Sequence, residues 1–257
     1  MRIAVIGASG RIGGAVAEVL RGRGHEVVGL TRAAGVDAYS GAGLGDALAG
    51  VAVVVDASNA PSTETAVVTD FFRTVARNVQ REAASAGVRR IVVVSIVGID
   101  GLTAGHYAGK LAHEGAYREG PVPVRIVRAT QFHEFAEMML EWTTRGDTAD
   151  VPAMLTRLVA ARAVAEKLAD IAVADAAPDL VEIAGPEEQN LADAAAKLAA
   201  RRGNPAHVRG IEDTADPNWP LVAAGVLRGG ATAIVAGPTF DEWLDRHYPA
   251  NTTQSAY

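Results

Sequence analysis

Short runs of β-branched residues alternate with amphipathic stretches through the first half of the chain, the rhythm of strands joined by helices. The pattern predicts strands over Arg2–Ile6, Glu26–Leu30, Val51–Asp56, Arg90–Val94 and Val124–Ala129. Val51, Val53, Val54 and Val55 make one of them apolar at nearly every position, which suits a strand covered on both faces. Between the strands, Arg11–Arg21, Thr65–Ala86 and Tyr107–Arg118 read as helices, with Gly22, Gly24 and Gly87 where glycines end helices. Right-handed crossovers then give an α/β fold with a doubly wound, mainly parallel sheet. Past Ala129 the rhythm weakens. A helix over His133–Thr144, a polar link at Arg145–Asp150, and helices near Arg162–Val173 and Leu191–Arg202 predict a small C-terminal lobe. The chain is thus expected to be one domain: a core at residues 1–130, a mixed substrate lobe at 131–257 ending in a polar tail, 250–257, and a ligand cleft between core and lobe.

Composition narrows the function. With 49% hydrophobic and 21% charged residues, the chain has the make-up of a folded domain with a sizeable core. A net charge of -6 offers nothing to attract a phosphate polymer or an anionic membrane, so a small-molecule partner is expected, with the chain a monomer or homodimer. The sequence has no cysteine, which removes disulfides, thiolate nucleophiles and cysteine metal sites and permits a cytoplasmic address. The apolar stretch Ile3 to Ile6 is too short for a signal core or a membrane span, so folding is expected from the first residue.

The most informative segment is Gly7-Ala8-Ser9-Gly10-Arg11-Ile12-Gly13, directly after the first strand and opening the first helix. Gly7 allows a sharp turn, Gly10 admits a pyrophosphate to the backbone N–H groups, and Gly13 lets helix and sheet approach. The helix start then faces the anion with free N–H groups and its positive dipole end. Cofactor contacts are expected from Gly7, Ser9, Gly10, Arg11, Ile12 and Gly13, the signature of a Rossmann-type dinucleotide site. At the second strand's end, where a carboxylate would bind the ribose of NAD, the chain has Thr31-Arg32. Arg32, with Arg11 opposite, can hold a 2′-phosphate, so the expected cofactor is NADP(H). Asp56, Ala57 and Ser58, leaving the third strand on the same side, are expected to line the nucleotide pocket.

These residues resemble the atypical short-chain dehydrogenase/reductases, specifically the NmrA-like group of NADPH-dependent quinone and carbonyl reductases and non-catalytic redox sensors. The likeness rests on Gly7–Gly13, Thr31-Arg32, Val94-Ser95-Ile96-Val97-Gly98, Tyr107-Ala108-Gly109-Lys110-Leu111-Ala112 and Arg128–Phe135, with Ala184-Gly185-Pro186-Glu187 further on. It implies that Lys110 holds the nicotinamide ribose, and that the segment from Arg128 faces nicotinamide and substrate. Gln131, Phe132 and His133 are accordingly the expected substrate contacts.

Reducing a carbonyl needs a hydride and a proton for the developing oxyanion. In the wider family a tyrosine four residues before the lysine donates that proton; here His106 holds that position, and Tyr107 stands three before Lys110 on the same helical face. His106 as imidazolium or Tyr107 as phenol is the candidate donor, and Ser95 can bind a substrate carbonyl. Lys110, Tyr107, His106 and Ser95 form the candidate catalytic group. Glu114 reads as helix-face charge pairing near Lys110. Metal catalysis is not expected, because His133-Glu134 lacks the second histidine of a zinc helix. The reading is an NADPH-dependent reductase of a quinone, enone or ketone, an aromatic one among the candidates. Its alternatives are a non-catalytic NADP-sensing regulator and a redox-neutral epimerase or dehydratase.

Overall fold

The computed structural model describes residues 1–249, so the predicted tail falls outside the described residues. The first half carries β1 (Arg2–Ile6), α1 (Arg11–Gly22), β2 (Glu26–Leu30), the short α2 (Leu44–Leu48), β3 (Val53–Asp56), α3 (Thr65–Ser85), β4 (Arg90–Ile96), α4 (Gly105–Arg118) and β5 (Val124–Ala129). The second half adds α5 (Phe135–Thr143), β6 (Thr144–Arg145), β7 (Thr148–Pro152), β8 (Leu155–Thr156), α6 (Ala161–Val173) and β9 (Leu180–Ala184). It continues through β10 (Gln189–Asn190), α7 (Leu191–Arg202), β11 (His207–Ile211), α8 (Trp219–Ala223), β12 (Ile234–Val235) and α9 (Phe240–His247).

Among the described residues the central sheet has seven strands in the order β12-β9-β5-β4-β3-β1-β2, every neighbouring pair parallel. Period-2 alternation divides its side chains between two cores. Ile3, Val5, Val53, Val55, Val92 and Val94 pack with Val16 and Leu20 of α1 and Val164 and Leu168 of α6. Ala4, Ile6, Val54, Ile91 and Val93 pack with Val75 and Val79 of α3 and Tyr117 of α4. Helices on both faces explain why these strands are apolar throughout.

Several boundaries differ from the predicted ones. Val51 closes a turn by donating its N–H to Leu48, so β3 starts at Val53. β4 runs on to Ile96 because Ser95 and Ile96 pair with Arg128 and Ala129, which places Ser95 inside a strand. The polar link at 145–150 is a hairpin: Gly146, at φ +64°, turns β6 into β7, and β7 pairs on its other side with β11. The second half contributes to both sheet and lobe. α6 packs against α1, and β9 and β12 extend the main sheet, leaving α5, α7, β7 and β11 packed together as the smaller unit.

Candidate functional site

The turn between β1 and α1 is built from backbone and from missing side chains. Gly7 leaves the strand at φ +73° and donates its N–H to Leu30 at 3.2 Å, tying the turn to β2. A Cβ on Gly7 would lie 2.6 Å from the Ala57 carbonyl oxygen, and one on Gly13 would lie 2.2 Å from that of Gly7. Gly10 is the N-cap of α1, and no side chain caps the helix start. Its first amides are therefore available to an anion. Ser9, Gly10 and Arg11 are exposed, whereas Ile12 is buried in the core, so only its backbone can serve the site.

Arg11 is engaged by carboxylates of the second half. The Arg11 guanidinium lies 3.4 Å from Glu137 and 3.9 Å from Glu134, at the start of α5. Arg32 is exposed at the exit of β2, on a single helical turn that the Thr31 hydroxyl caps by accepting the Ala34 N–H at 3.2 Å.

Asp56 also departs from expectation. Its fully buried carboxylate accepts the Ser58 N–H at 2.7 Å and the Tyr117 hydroxyl at 2.5 Å, and lies 3.1 Å from Nε2 of His113. It faces the protein and not a nucleotide. Burial alone would push this carboxyl up, but His113, the Tyr117 hydroxyl and the charge of Lys110 together hold it well below the usual carboxylate range. Desolvation lowers the pKa of His113 against the pull of Asp56, and its Nδ1 is buried with no hydrogen-bond partner among the described residues. Ala57 supplies the carbonyl that Gly7 abuts, and the Ser58 hydroxyl is buried with no partner among the described residues.

His106, Lys110 and His113 share one stripe of α4 and all meet the ring of Phe72. The Lys110 ammonium sits 4.4 Å above that ring and donates to the carbonyls of Ser58 (3.3 Å) and Val94 (3.2 Å), joining the exits of β3 and β4. Burial lowers its pKa to about 8 against the pull of Asp56 and Glu114. Burial, then the charges of Lys110 and His113, brings His106 to about 4, so its ring is mostly neutral near pH 7. Tyr107, with Leu111, faces the apolar cluster that includes Ile96 and Phe132; burial, then the charge of Asp216, raises its phenol to about 12. The Ser95 hydroxyl is buried beside these strand exits without a partner among the described residues.

The three proposed substrate contacts separate. Gln131 is buried and its Oε1 accepts the Thr156 hydroxyl at 2.8 Å, while Phe132 is partly buried beside Val159. His133 is not a wall of the cleft: it is fully buried between Phe240 and Trp243 and bonded to the Pro238 carbonyl at 3.1 Å. Glu114 is no surface partner of Lys110 either. It is buried and grips Arg128 through two contacts of 2.9 Å, and Arg128 reaches on to Asp100 at 2.7 and 2.8 Å.

Two groups escaped the sequence reading. His113 and Tyr117 continue the polar stripe of α4 at helical spacing, a signal present in the sequence. Asn218 is different. Its Oδ1 accepts the Thr103 and Ala104 N–H groups at 2.9 and 3.3 Å, holding the approach to α4 from more than a hundred residues away, and no local pattern announces it.

The glycine cradle, the uncapped helix start and the partnerless Ser58 and Ser95 hydroxyls fit a dinucleotide lying across the carboxyl edge of the sheet. Fold and turn together define the chain as an α/β protein of the Rossmann class. No family model and no curated protein matches its sequence. Solved structures do match in fold. An NADPH-dependent quinone oxidoreductase from Escherichia coli, complexed with NADPH, is similar with a TM-score of 0.69 at 18% identity, covering 95% of this chain and 99% of that one. A triphenylmethane reductase from Citrobacter sp. is similar with a TM-score of 0.68 at 16% identity, covering 96% and 99%. A short-chain dehydrogenase/reductase superfamily protein from Agrobacterium tumefaciens with bound NAD gives 0.67 at 18% identity, covering 97% of both chains.

Proposed function

We propose that this protein is an NADP(H)-dependent reductase that delivers hydride to a quinone, enone or ketone, with quinones preferred. The observation that carries the reading is the glycine turn, where any Cβ on Gly7 or Gly13 would collide with backbone while the first amides of α1 stay uncapped. The fold neighbours, which include NADPH-bound and NAD-bound proteins and two named reductases, support it, as does the resemblance to NmrA-like reductases. Arg32 favours NADP(H), since its guanidinium can take a 2′-phosphate bidentately where a carboxylate would repel it. The reduced cofactor, when bound, supplies the hydride.

The surrounding residues decide which acceptors suit. Lys110 is held between the Ser58 and Val94 carbonyls and can donate to a ribose hydroxyl at that edge. Tyr107 stays protonated but is a weak acid at about 12, and His106 is neutral at pH 7. Neither delivers a proton readily to an oxyanion. A quinone yields a hydroquinone anion that takes its proton from water, so it needs the least from these side chains; a simple ketone needs the most. One observation favours a second reading, the dinucleotide-sensing regulator: the ammonium of Lys110 is engaged by backbone carbonyls and Tyr107 packs against the apolar cluster, so among the described residues no tyrosine hydroxyl is bonded to Lys110.

The loss of reduced-nicotinamide absorbance, followed with a quinone, a cyclic enone and an aromatic ketone, tests the reading. Fastest loss is expected with quinone and NADPH, with Arg32→Asp cutting the preference for NADPH over NADH about tenfold, or about 1.4 kcal/mol. Calorimetric binding without turnover of any acceptor establishes the sensor instead. No binding of either nucleotide sinks both.

A further inference from the structure

Arg11 stands on the first turn of α1 and hydrogen-bonds among the described residues through Nη1 alone, to Glu137, with Glu134 beside it. Its Nη1 is 3.4 Å from Oε2 of Glu137 and 3.9 Å from Oε1 of Glu134. The Nε and Nη2 edge has no partner among the described residues, and the side chain is 49% exposed. Two parallel N–H groups on such an edge are the geometry that grips a phosphate bidentately. The carboxylates holding the other end are themselves fixed. Oε1 of Glu137 accepts the Tyr248 hydroxyl at 2.6 Å, and Oε2 of Glu134 accepts the N–H of Ala161, the first residue of α6, at 3.4 Å. Both glutamates are largely buried, in contrast to the arginine they hold. α1, α5, α6 and the residue after α9 thus meet at one guanidinium beside the glycine turn.

We infer that Glu137, backed by Tyr248 and assisted by Glu134, is a positioning residue that keeps Arg11 ready to grip the dinucleotide's pyrophosphate with its free edge. This rests on the dinucleotide reading above and assigns a task to α5 that the glycine turn does not contain. A free arginine would have to lose its side-chain freedom on binding; one tethered at Nη1 has lost it beforehand. The arrangement also moves Arg11 from adenine-end recognition, where Arg32 remains, to the phosphate linkage.

Calorimetry with two ligands separates the possibilities: NADP⁺, and adenosine 2′-monophosphate, which keeps the adenine end and lacks the pyrophosphate. Glu137→Gln is expected to weaken NADP⁺ by about tenfold and leave the monophosphate unchanged, and Arg11→Lys, which keeps the charge but not the fork, to do the same. The melting temperature of the ligand-free variants reports whether they fold. Should Glu137→Gln melt early, Tyr248→Phe takes its place, with a smaller loss confined to NADP⁺. Equal losses for both ligands would mean a general structural role and overturn the inference. Unchanged or tightened NADP⁺ binding would overturn it too, the latter showing that the carboxylates compete with phosphate. If the wild type binds the monophosphate and NADP⁺ but the variants match it, only this inference fails; if the wild type binds neither, the dinucleotide reading fails with it.

Discussion

The β1–α1 turn and the buried stripe of α4 serve the same carboxyl edge of the sheet with opposite materials. In the turn, function rests on atoms that are absent: Gly7 and Gly13 leave room for carbonyls that a single Cβ would strike. In α4, it rests on side chains packed densely into an apolar setting, with Asp56, His113, Tyr117 and Lys110 all buried and each dependent on its partners. The turn is a problem of excluded volume and the stripe a problem of charge balance. The two should therefore break differently, the first losing its ligand and the second its stability.

The largest effect is expected from Gly13→Ala. Its Cβ would sit 2.2 Å from the Gly7 carbonyl oxygen, which belongs to backbone and cannot swing aside. Relieving the overlap costs about 1–3 kcal/mol of stability. Moving the helix start off its position is expected to weaken dinucleotide binding by about a hundredfold, or about 2.7 kcal/mol, as the amides lose their aim at the phosphates. Titration calorimetry alongside urea unfolding measures both, and wild-type affinity in this variant would mean the turn does not hold the phosphates.

Asp56→Asn attacks the stripe instead. It leaves the shape intact but takes the carboxylate from His113 and Tyr117 and removes a negative charge that favours the Lys110 ammonium, and losing buried hydrogen bonds to a charged group costs about 1.5–3 kcal/mol. Urea unfolding should show that loss, and Lys110→Met in the same background should recover part of it. If the two substitutions add without coupling, Lys110 does not depend on Asp56 and the charge-balance account of α4 is wrong.

This contrast also explains what could be read from sequence. Gly7, Gly10 and Gly13 were legible because a glycine requirement is local: turn, strand and helix are contiguous in the chain. The parallel core was legible for the same reason, its strands being apolar at nearly every residue. Side-chain direction is not local. Asp56 ends a strand where nucleotide contacts are expected, yet His113 and Tyr117, more than fifty residues on, draw it inward. Arg11 meets carboxylates because α5 brings Glu134 and Glu137 beside it. Glu114 finds Arg128 on a strand across the layer. β9, with Glu182 interrupting a short run, and the two-residue β12 carry too weak a pattern to announce themselves, and only the parallel pairing with β5 and with each other makes them strands.

The smallest effect concerns pH, and it tests whether this distinction extends to the exit of β5. Desolvation lowers the pKa of His133 to about 4, the Pro238 carbonyl opposing it, whereas the unfolded chain titrates near 6.5. Because the folded value lies below the unfolded one, the unfolded state binds the extra proton first as the solution is acidified. The stability His133 contributes is therefore present above pH 6.5 and is lost progressively as pH falls toward 4. Between pH 7 and pH 5 that loss is about 2 kcal/mol for a fully buried ring. His106, lowered to the same value, steepens the wild-type decline in the same window. His133→Gln should lower stability at pH 7 by spoiling the packing against Phe240 and Trp243, yet flatten the decline between pH 7 and pH 5. Urea midpoints at the two pH values decide the matter: an unflattened slope would place the His133 ring in water, at the wall of a substrate cleft, and return to it the ligand contact that its burial takes away.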